Sequence, residues 1–313
     1  MLLAGVAAAS ASSILIRYAQ QEGITSLAIA AWRMALASLV LLPLALATRR
    51  PEIRAINVRY GLVAALAGLF LAAHFLTWIT SLEYTSVASS AALVTTNPIW
   101  VGLATVFIFR ERVPRQTIVG IGISLVGCLL ILWVDFDPMV APGLPDAAGA
   151  GGPGSRQPAL GNALALLGAL GVSAYLLTGR SLASRFSLLT YVTLVYGAAA
   201  IVLVVTAVAA GVELWRYSAM GWWALAGLAL GPQLIGHTAF NWSLRRLSPT
   251  FVALAILGEP VGSAILAGVL FAEIPSTWQL AAFATLLAGI AVAALGERGA
   301  ATAPSCPPSG SPA

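Results

Sequence analysis

Apolar stretches of 18 to 25 residues follow one another along almost the whole chain, separated by short segments that carry most of its charge. Runs of that length match the roughly 20 residues an α-helix needs to cross about 30 Å of hydrocarbon. The runs are continuous and do not alternate between apolar and polar positions, which favours helices over a β-barrel. The pattern predicts ten spanning helices, at 2–19, 27–48, 58–81, 86–109, 115–134, 160–179, 187–210, 219–243, 250–271 and 276–296. Met1–Tyr18 has the apolar character of a signal peptide but lacks a basic start and a cleavage signature, so it is expected to be the first spanning helix. Residues 135–158, rich in Gly, Pro and Ala with three aspartates, read as a flexible linker. Residues 299–313 are low in complexity and are expected to be a disordered tail.

The pattern also repeats. Ser81-Leu82 recurs as Ser243-Leu244, Asn97-Pro98 as Glu259-Pro260, and Glu111 as Glu273, each pair separated by 162 positions. SLEYTSVASSAALVTTNPIW aligns with SLRRLSPTFVALAILGEPVG without a gap, and Ser12-Ser13-Ile14-Leu15 falls against Ser173-Ala174-Tyr175-Leu176. Such a period is too long for a solenoid unit; in a membrane chain it points to two homologous bundles, 1–134 and 159–298, the plan of many secondary transporters. Alternate loops differ sharply in arginine content. One side collects Arg49, Arg50, Arg54, Arg59, Arg110, Arg112, Arg115, Arg180, Arg185, Arg245, Arg246 and Arg298, while the other has Arg156 and Arg216, with Arg17 near its boundary. The positive-inside rule then puts both termini in the cytoplasm. Five helices per repeat is an odd number, so the repeats are expected to be inverted about an axis in the membrane plane, around a central cavity.

Composition agrees and narrows the function. Of the residues, 59% are hydrophobic and 9% charged, and mean hydropathy is +0.93. A soluble domain carries about 25% charged residues. All 16 basic residues are arginine, which with the abundant Ala and Gly suggests a GC-rich bacterial coding bias and a bacterial cytoplasmic membrane. The net charge of +5 sits in short loops, where it sets orientation, so no nucleic-acid partner is implied. Cys128 and Cys306 offer no disulfide or metal framework, and no cofactor is expected. G-x-S-x-G and HExxH motifs are absent from the sequence and no Asp lies inside a proposed helix, which argues against an enzyme. A nucleotide-binding signature is absent too, so the driving force is expected to be a gradient.

Two segments carry a family resemblance: NPIWVGLATVFIFRERVPRQTIVGIGISLVGCLLI and GEPVGSAILAGVLFAEIPSTWQLAAFATLLAGIAVAAL. Each has an Asn-Pro or Glu-Pro, a Gly/Ala/Leu-rich run to a terminal acid, and a Gly-rich helix. GHTAFNWSLRRLSPTFVA and AAWRMALASLVLLP add to the likeness. The chain resembles the EamA-type family of the drug/metabolite transporter superfamily over residues 1–298, the linker excepted. The resemblance implies ten helices in two inverted five-helix repeats around a cavity, and movement of small organic metabolites, often outward. The chain departs from the usual Gly-Glu, having Arg110-Glu111 and Ala272-Glu273.

Glu259 is the leading candidate for substrate binding or coupling. It lies about nine residues into the ninth predicted helix, roughly 13 Å from its end, where an acid must be neutral, paired or in contact with water. It reads either as a proton or cation site lining the cavity or as a structural hydrogen bond to a neighbouring helix. Asn97 is its repeat mate, either a substrate contact or helix glue. Pro98 and Pro260 are hinge candidates, since proline frees a backbone carbonyl one turn back. Arg33 has three readings open: a clamp on a carboxylate or phosphate, a side chain snorkelling to headgroups, or a partner of Glu259. His74 offers a proton relay or a helix–helix hydrogen bond, and His237 sits near the matching position. Among the deeper aromatics, Trp32, Phe75, Trp100, Tyr175, Tyr191 and Tyr196 either line the cavity or pack. Trp78, Trp133, Trp215, Trp222, Trp223 and Trp278 read as an interfacial belt. Glu111 and Glu273, at opposite helix ends, are gate candidates or plain helix-end charges. Gly120, Gly122 and Gly127, with Gly258, Gly262 and Gly268, suit close helix approach.

The expectation is an alternating-access exporter of small organic metabolites, amino acids and related amphipathic compounds among them, with a lipid bilayer and a small-molecule substrate as partners and no requirement for more than a monomer. Helices three, four, eight and nine should form most of the site. A membrane scaffold that kept the fold without transport is the competing reading.

Overall fold

The computed structural model describes residues 2–108, 110, 114–136, 157–244 and 255–301. Those residues are helical or in short connections: α1 (Leu2–Gln21), α2 (Ser26–Thr48), α3 (Arg50–Arg54), α4 (Val58–Tyr84), α5 (Val87–Val94), α6 (Asn97–Phe107), α7 (Arg115–Phe136), α8 (Pro158–Arg185), α9 (Leu188–Ala209), α10 (Ala219–Leu228), α11 (Thr238–Leu244), α12 (Gly258–Phe271) and α13 (Thr277–Ala301). Eight spans among the described residues have the length and hydropathy to cross a membrane, counting Val87–Phe107 as one. The large exposed side chains, Leu39, Leu62, Ile201, Val205 and Val269 among them, suit a lipid surround.

Three predicted helices differ in form. The fourth is broken at Thr95-Thr96 into α5 and α6, because Pro98 cannot continue the hydrogen-bond ladder from the preceding turn. The eighth runs through a π-helical segment, Ala229–His237, with Pro232 inside it. Proline removes one ladder donor, and the wider π register accommodates the loss. The ninth, described from residue 255, turns at Leu257 before α12 begins at Gly258, and Pro260 stands in the first turn of α12. Boundaries shift as well. Asp135, assigned to the linker by sequence, lies in the last turn of α7, and Pro158 begins α8. The last helix continues to Ala301, past the expected start of the tail at 299.

Both acidic helix ends share an unusual backbone. Arg110 and Ala272, 162 positions apart, have φ of 54° and 55°, the left-handed region that Gly ordinarily fills. Each immediately precedes a gate candidate, Glu111 or Glu273; Glu111 lies outside the described residues.

The most extensive packing joins the two halves of the chain. Helix α7 lies along α13, α4 along α8 and α9, α2 along α9, and α1 along the π segment and α12. Small residues let backbones meet. A Cβ added to Gly120 would stand 2.2 Å from the Ala293 nitrogen, and one on Gly127 would stand 2.5 Å from that of Leu286. Gly289 and Gly296 present the same closeness from α13 to Ser124 and Thr117. Gly122 has open space around it and is not part of this seam. Lipid tails are as apolar as leucine, so close van der Waals packing of this kind is the main force available between the helices.

Two stability effects should follow in thermal unfolding of the purified protein in detergent. Ala272→Gly, by relieving the left-handed penalty, should raise stability by about 1 kcal/mol. Gly120→Ala should lower it by about 1–3 kcal/mol through overpacking. An unchanged Gly120→Ala protein would contradict the close α7–α13 seam.

Candidate functional site

The residues that follow the two helix breaks, Asn97 and Glu259, line one cavity of about 150 Å³. Its polar lining also includes His74, Thr95, Tyr175 and His237, and its apolar lining includes Trp78, Val172, Leu176 and Phe240. The breaks are approached alike. The Ser173 hydroxyl of α8 shares its proton between the Ala169 carbonyl at 2.7 Å and the Asn97 carbonyl at 3.2 Å, and the Ser10 hydroxyl of α1 shares its proton between the Val6 carbonyl at 2.9 Å and the Glu259 carbonyl at 3.3 Å. A serine from one half of the chain thus serves the backbone beside the other half's proline. Ser263 returns the contact to the Ser10 carbonyl at 3.0 Å.

His74 Nδ1 lies 2.8 Å from the Gly168 carbonyl oxygen. A carbonyl only accepts, so Nδ1 carries a proton in this contact. The ring stacks on Trp78 at 5.8 Å.

Arg33 is fully buried beside this cavity, which excludes snorkelling to headgroups. Its Nε donates to Gln233 Oε1 at 2.9 Å and its Nη1 to Ser12 Oγ at 2.8 Å, and its guanidinium carbon sits 4.3 Å from the Phe75 ring centroid. Arg33 and Glu259 feel each other's charge without an ion pair between them. Tyr196 is buried behind the cavity, against Gln233, and does not line it. Trp100 does not line it either: its indole donates to Thr96 Oγ1 at 3.0 Å across the α5–α6 break. Among the deep aromatics only Tyr175 lines the cavity; Trp32 donates to the Leu214 carbonyl at 2.8 Å and packs on Trp215 and Trp222.

Trp78 departs most from the sequence reading. It is buried on the cavity wall and is no part of an interfacial belt. Helix α4 extends three residues past its predicted end, to Tyr84, which sets Trp78 almost a turn deeper. Trp133, Trp215, Trp223 and Trp278 are exposed, as a belt requires. Gln233 and Ser12 are not among the candidates above, and their only signal in the sequence is a polar residue inside an apolar run.

At the far end of α12, roughly 21 Å along the helix from Glu259, lies a second polar network. Arg17 pairs with Glu273 at 3.2 Å, both side chains about nine-tenths buried. Glu273 also accepts from the Val87 N–H at 2.9 Å, and Arg17 donates to the Thr85 carbonyl at 3.2 Å. From Thr85 the network passes to Asn162 at 2.8 Å and on to Asp135 at 2.9 Å, which accepts from Gln279 at 2.7 Å. Glu273 is therefore a buried partner tying α1 to the start of α5, and no simple helix-end charge. On the opposite face, Glu52 accepts from the Ser187 N–H at 2.8 Å. Burial opposes its charge, but that bond, the neighbouring Thr190 and Ser187 hydroxyls and Arg49 hold its carboxyl below the usual range.

Among the described residues no group of three or more His, Cys, Asp or Glu could hold a metal ion. The family model described as the EamA-like transporter family matches residues 1–133 and again 159–295. The chain is 26% identical over 196 residues to the "Uncharacterized transporter YetK" of Bacillus subtilis (strain 168), across 62% of this chain and 54% of that protein. It is 38% identical over 66 residues to the "Probable 4-amino-4-deoxy-L-arabinose-phosphoundecaprenol flippase subunit ArnE" of Hamiltonella defensa subsp. Acyrthosiphon pisum (strain 5AT), across 21% of this chain and 60% of that protein. These matches span little more than half the length of either relative. A solved crystal structure superposes with a TM-score of 0.62 over 95% of this chain and 97% of its own, at 20% identity, a likeness of fold alone.

Removing one partner of a buried ion pair leaves an uncompensated charge, at a cost of about 3–5 kcal/mol. Arg17→Ala should lower the denaturation midpoint accordingly. The double variant Arg17→Ala/Glu273→Ala should lose less than the sum of the two single losses. Strict additivity would contradict direct pairing.

Proposed function

The chain belongs to the EamA-like transporter family, and on that premise we propose that it is a secondary transporter exporting small organic metabolites, amino acids and related amphipathic compounds among them, by alternating access. In this reading ten helices form two inverted repeats, 1–134 and 159–298, joined by residues 135–158, with both termini in the cytoplasm. The pairing of α1 with the π segment and α12, mirrored by that of α8 with α4 and α6, supports the two-repeat plan. So do the matched breaks at Asn97-Pro98 and Glu259-Pro260 and the matched left-handed residues Arg110 and Ala272.

The observation that carries the reading is a cavity holding a carboxylate beside two proline-marked helix breaks, with a buried ion pair at the far end of the helix that bears the carboxylate. A carboxylate in an apolar cavity is stabilised by a proton or by a cationic group of the substrate, and exchanging one for the other couples their movements. Pro98 and Pro260 serve as hinges because each follows an existing break, so the two parts of a helix can tilt without losing further ladder bonds. Arg17–Glu273 is the external gate, and Glu111 is assigned the corresponding place on the cytoplasmic side. The two gates alternate as the repeats exchange conformations.

Proteoliposomes loaded with a pooled metabolite extract test this directly, read by mass spectrometry with and without a pH gradient. Selective loss of a compound class is expected, faster with the gradient. Glu259→Gln should leave the protein folded and abolish the gradient's effect. No selective loss from liposomes holding folded wild-type protein in both orientations would contradict transport.

A further inference from the structure

Helices α4 and α8 run antiparallel, as the contacts of three glycines show: Gly161 lies against Thr85, Gly168 against Trp78 and Gly171 against His74. Carried to the other end, that register sets the first turn of α4 beside the last turn of α8. The two ends enclose a cavity of about 280 Å³, lined by Arg59, Tyr60 and Val63 of α4 and by Ser181, Ser184 and Arg185 of α8. Aromatic packing supports its wall. The Tyr60 ring meets Phe186 edge-on at 5.4 Å, and the Arg185 guanidinium carbon sits 5.2 Å from the Tyr60 ring centroid. Two arginines thus share one concavity, and among the described residues no acid lines it. Neither Arg59 nor Arg185 has an ion-pair partner among those residues. Glu52, the acid nearest to Arg59 in the chain, is engaged by the Ser187 N–H at 2.8 Å and by Arg49. Ser184 donates to the Ser181 carbonyl at 3.1 Å, leaving the Ser181 hydroxyl to serve a ligand.

The surroundings suit a lipid. Leu62, Leu66 and Leu69 follow Arg59 at helical spacing and are exposed, so an apolar lane leads away from the cavity along α4. Both arginines are exposed as well, at the ends of spans long enough to cross the bilayer, where headgroup phosphates lie.

We propose that this cavity binds the phosphate of an anionic phospholipid between Arg59 and Arg185, with an acyl chain along Leu62, Leu66 and Leu69. A phosphodiester has two unesterified oxygens and one negative charge, and a guanidinium fork suits such oxygens. Basic pockets between membrane helices hold lipid headgroups in this way. A free phosphate offers the same oxygens but nothing to the apolar lane. Arg59 belongs to one half of the chain and Arg185 to the other, so a headgroup held by both ties the halves together at this face. The site shares no lining residue with the cavity at Glu259 and does not depend on what that cavity carries.

Native mass spectrometry of the purified, delipidated protein in neutral detergent tests this, using phosphatidylglycerol and phosphatidylcholine with identical acyl chains. Both lipids contain a phosphodiester, and only phosphatidylcholine adds a cation that the arginines repel. Wild type should hold one phosphatidylglycerol more tightly than phosphatidylcholine. Arg59→Gln and Arg185→Gln should each weaken that binding roughly fivefold, the worth of one basic residue near a charged membrane surface. Arg185→Lys keeps the charge and should retain more binding than Arg185→Gln. Arg54→Gln, close in the chain but outside the cavity, should leave binding unchanged. Thermal unfolding without lipid checks that each variant folds. Phosphatidylcholine bound as tightly as phosphatidylglycerol would overturn the proposal. So would equal weakening by all three glutamine variants, which would assign the binding to diffuse surface charge. Phosphatidylglycerol binding that neither Arg59→Gln nor Arg185→Gln alters would overturn it, as would none on folded wild type. Displacement of phosphatidylglycerol by equimolar glycerol 3-phosphate would assign the cavity to a soluble phosphate and overturn the lipid.

Discussion

Arg33 carries a permanent charge at a place where neither water nor headgroups can reach it, and the helices around it are arranged by the need to keep that charge bonded. Ser12 of α1 and Gln233 of the π segment hold two of its nitrogens, while Phe75 and Trp78 of α4 lay their rings against the guanidinium. One side chain of α2 thereby fixes three other elements. The attraction between ring faces and the cation replaces part of the lost hydration. The π segment belongs to the same solution, since it is the element that carries Gln233 to Arg33. Irregular helix at membrane depth is tolerated where its backbone is buried in protein or lines a cavity, and π segments recur at functional sites.

The cavity and the far end of α12 each hold an acid, compensated in different ways. At the far end, Glu273 is compensated by Arg17 and by the Val87 N–H at the start of α5. At the centre, Glu259 has Arg33's charge nearby and a cavity in front of it, with no ion-pair partner among the described residues. A fully paired acid holds two helices together. An acid without a direct partner is available to a proton or to a substrate. The two acids lie at opposite ends of α12, the arrangement on which the proposed site and gate roles rest.

Much of the fold was legible because the bilayer imposes a simple rule: backbone groups must be satisfied within the segment, so length and continuity of apolar runs identify helices. The 162-residue offset led to Asn97 and Glu259 as partners, and both line the cavity. Helix interruptions were harder to read, since Pro98 and Pro232 announce a disturbance but not whether it becomes a break or a π segment. Gln233 and Ser12 were missed because neutral polar residues inside apolar runs usually serve as ordinary helix glue. Arg17 and Glu273 stand 256 positions apart, and no local pattern predicts such a pairing. Trp78 was misplaced because depth depends on where a helix ends, and polar residues at a helix end mark that point only to within a turn.

One measurement addresses the central claim, that the cavity at Glu259 is shut off from one membrane face by the Arg17–Glu273 pair. A single cysteine at Thr95, in a background with Cys128 and Cys306 replaced by serine, is exposed to a membrane-impermeant maleimide from each side in turn. The account predicts labelling from the cytoplasmic side in the Arg17 protein, with labelling from the external side appearing when Arg17→Ala is introduced. Equal labelling from both sides with Arg17 in place, or external labelling that Arg17→Ala leaves unchanged, would contradict it.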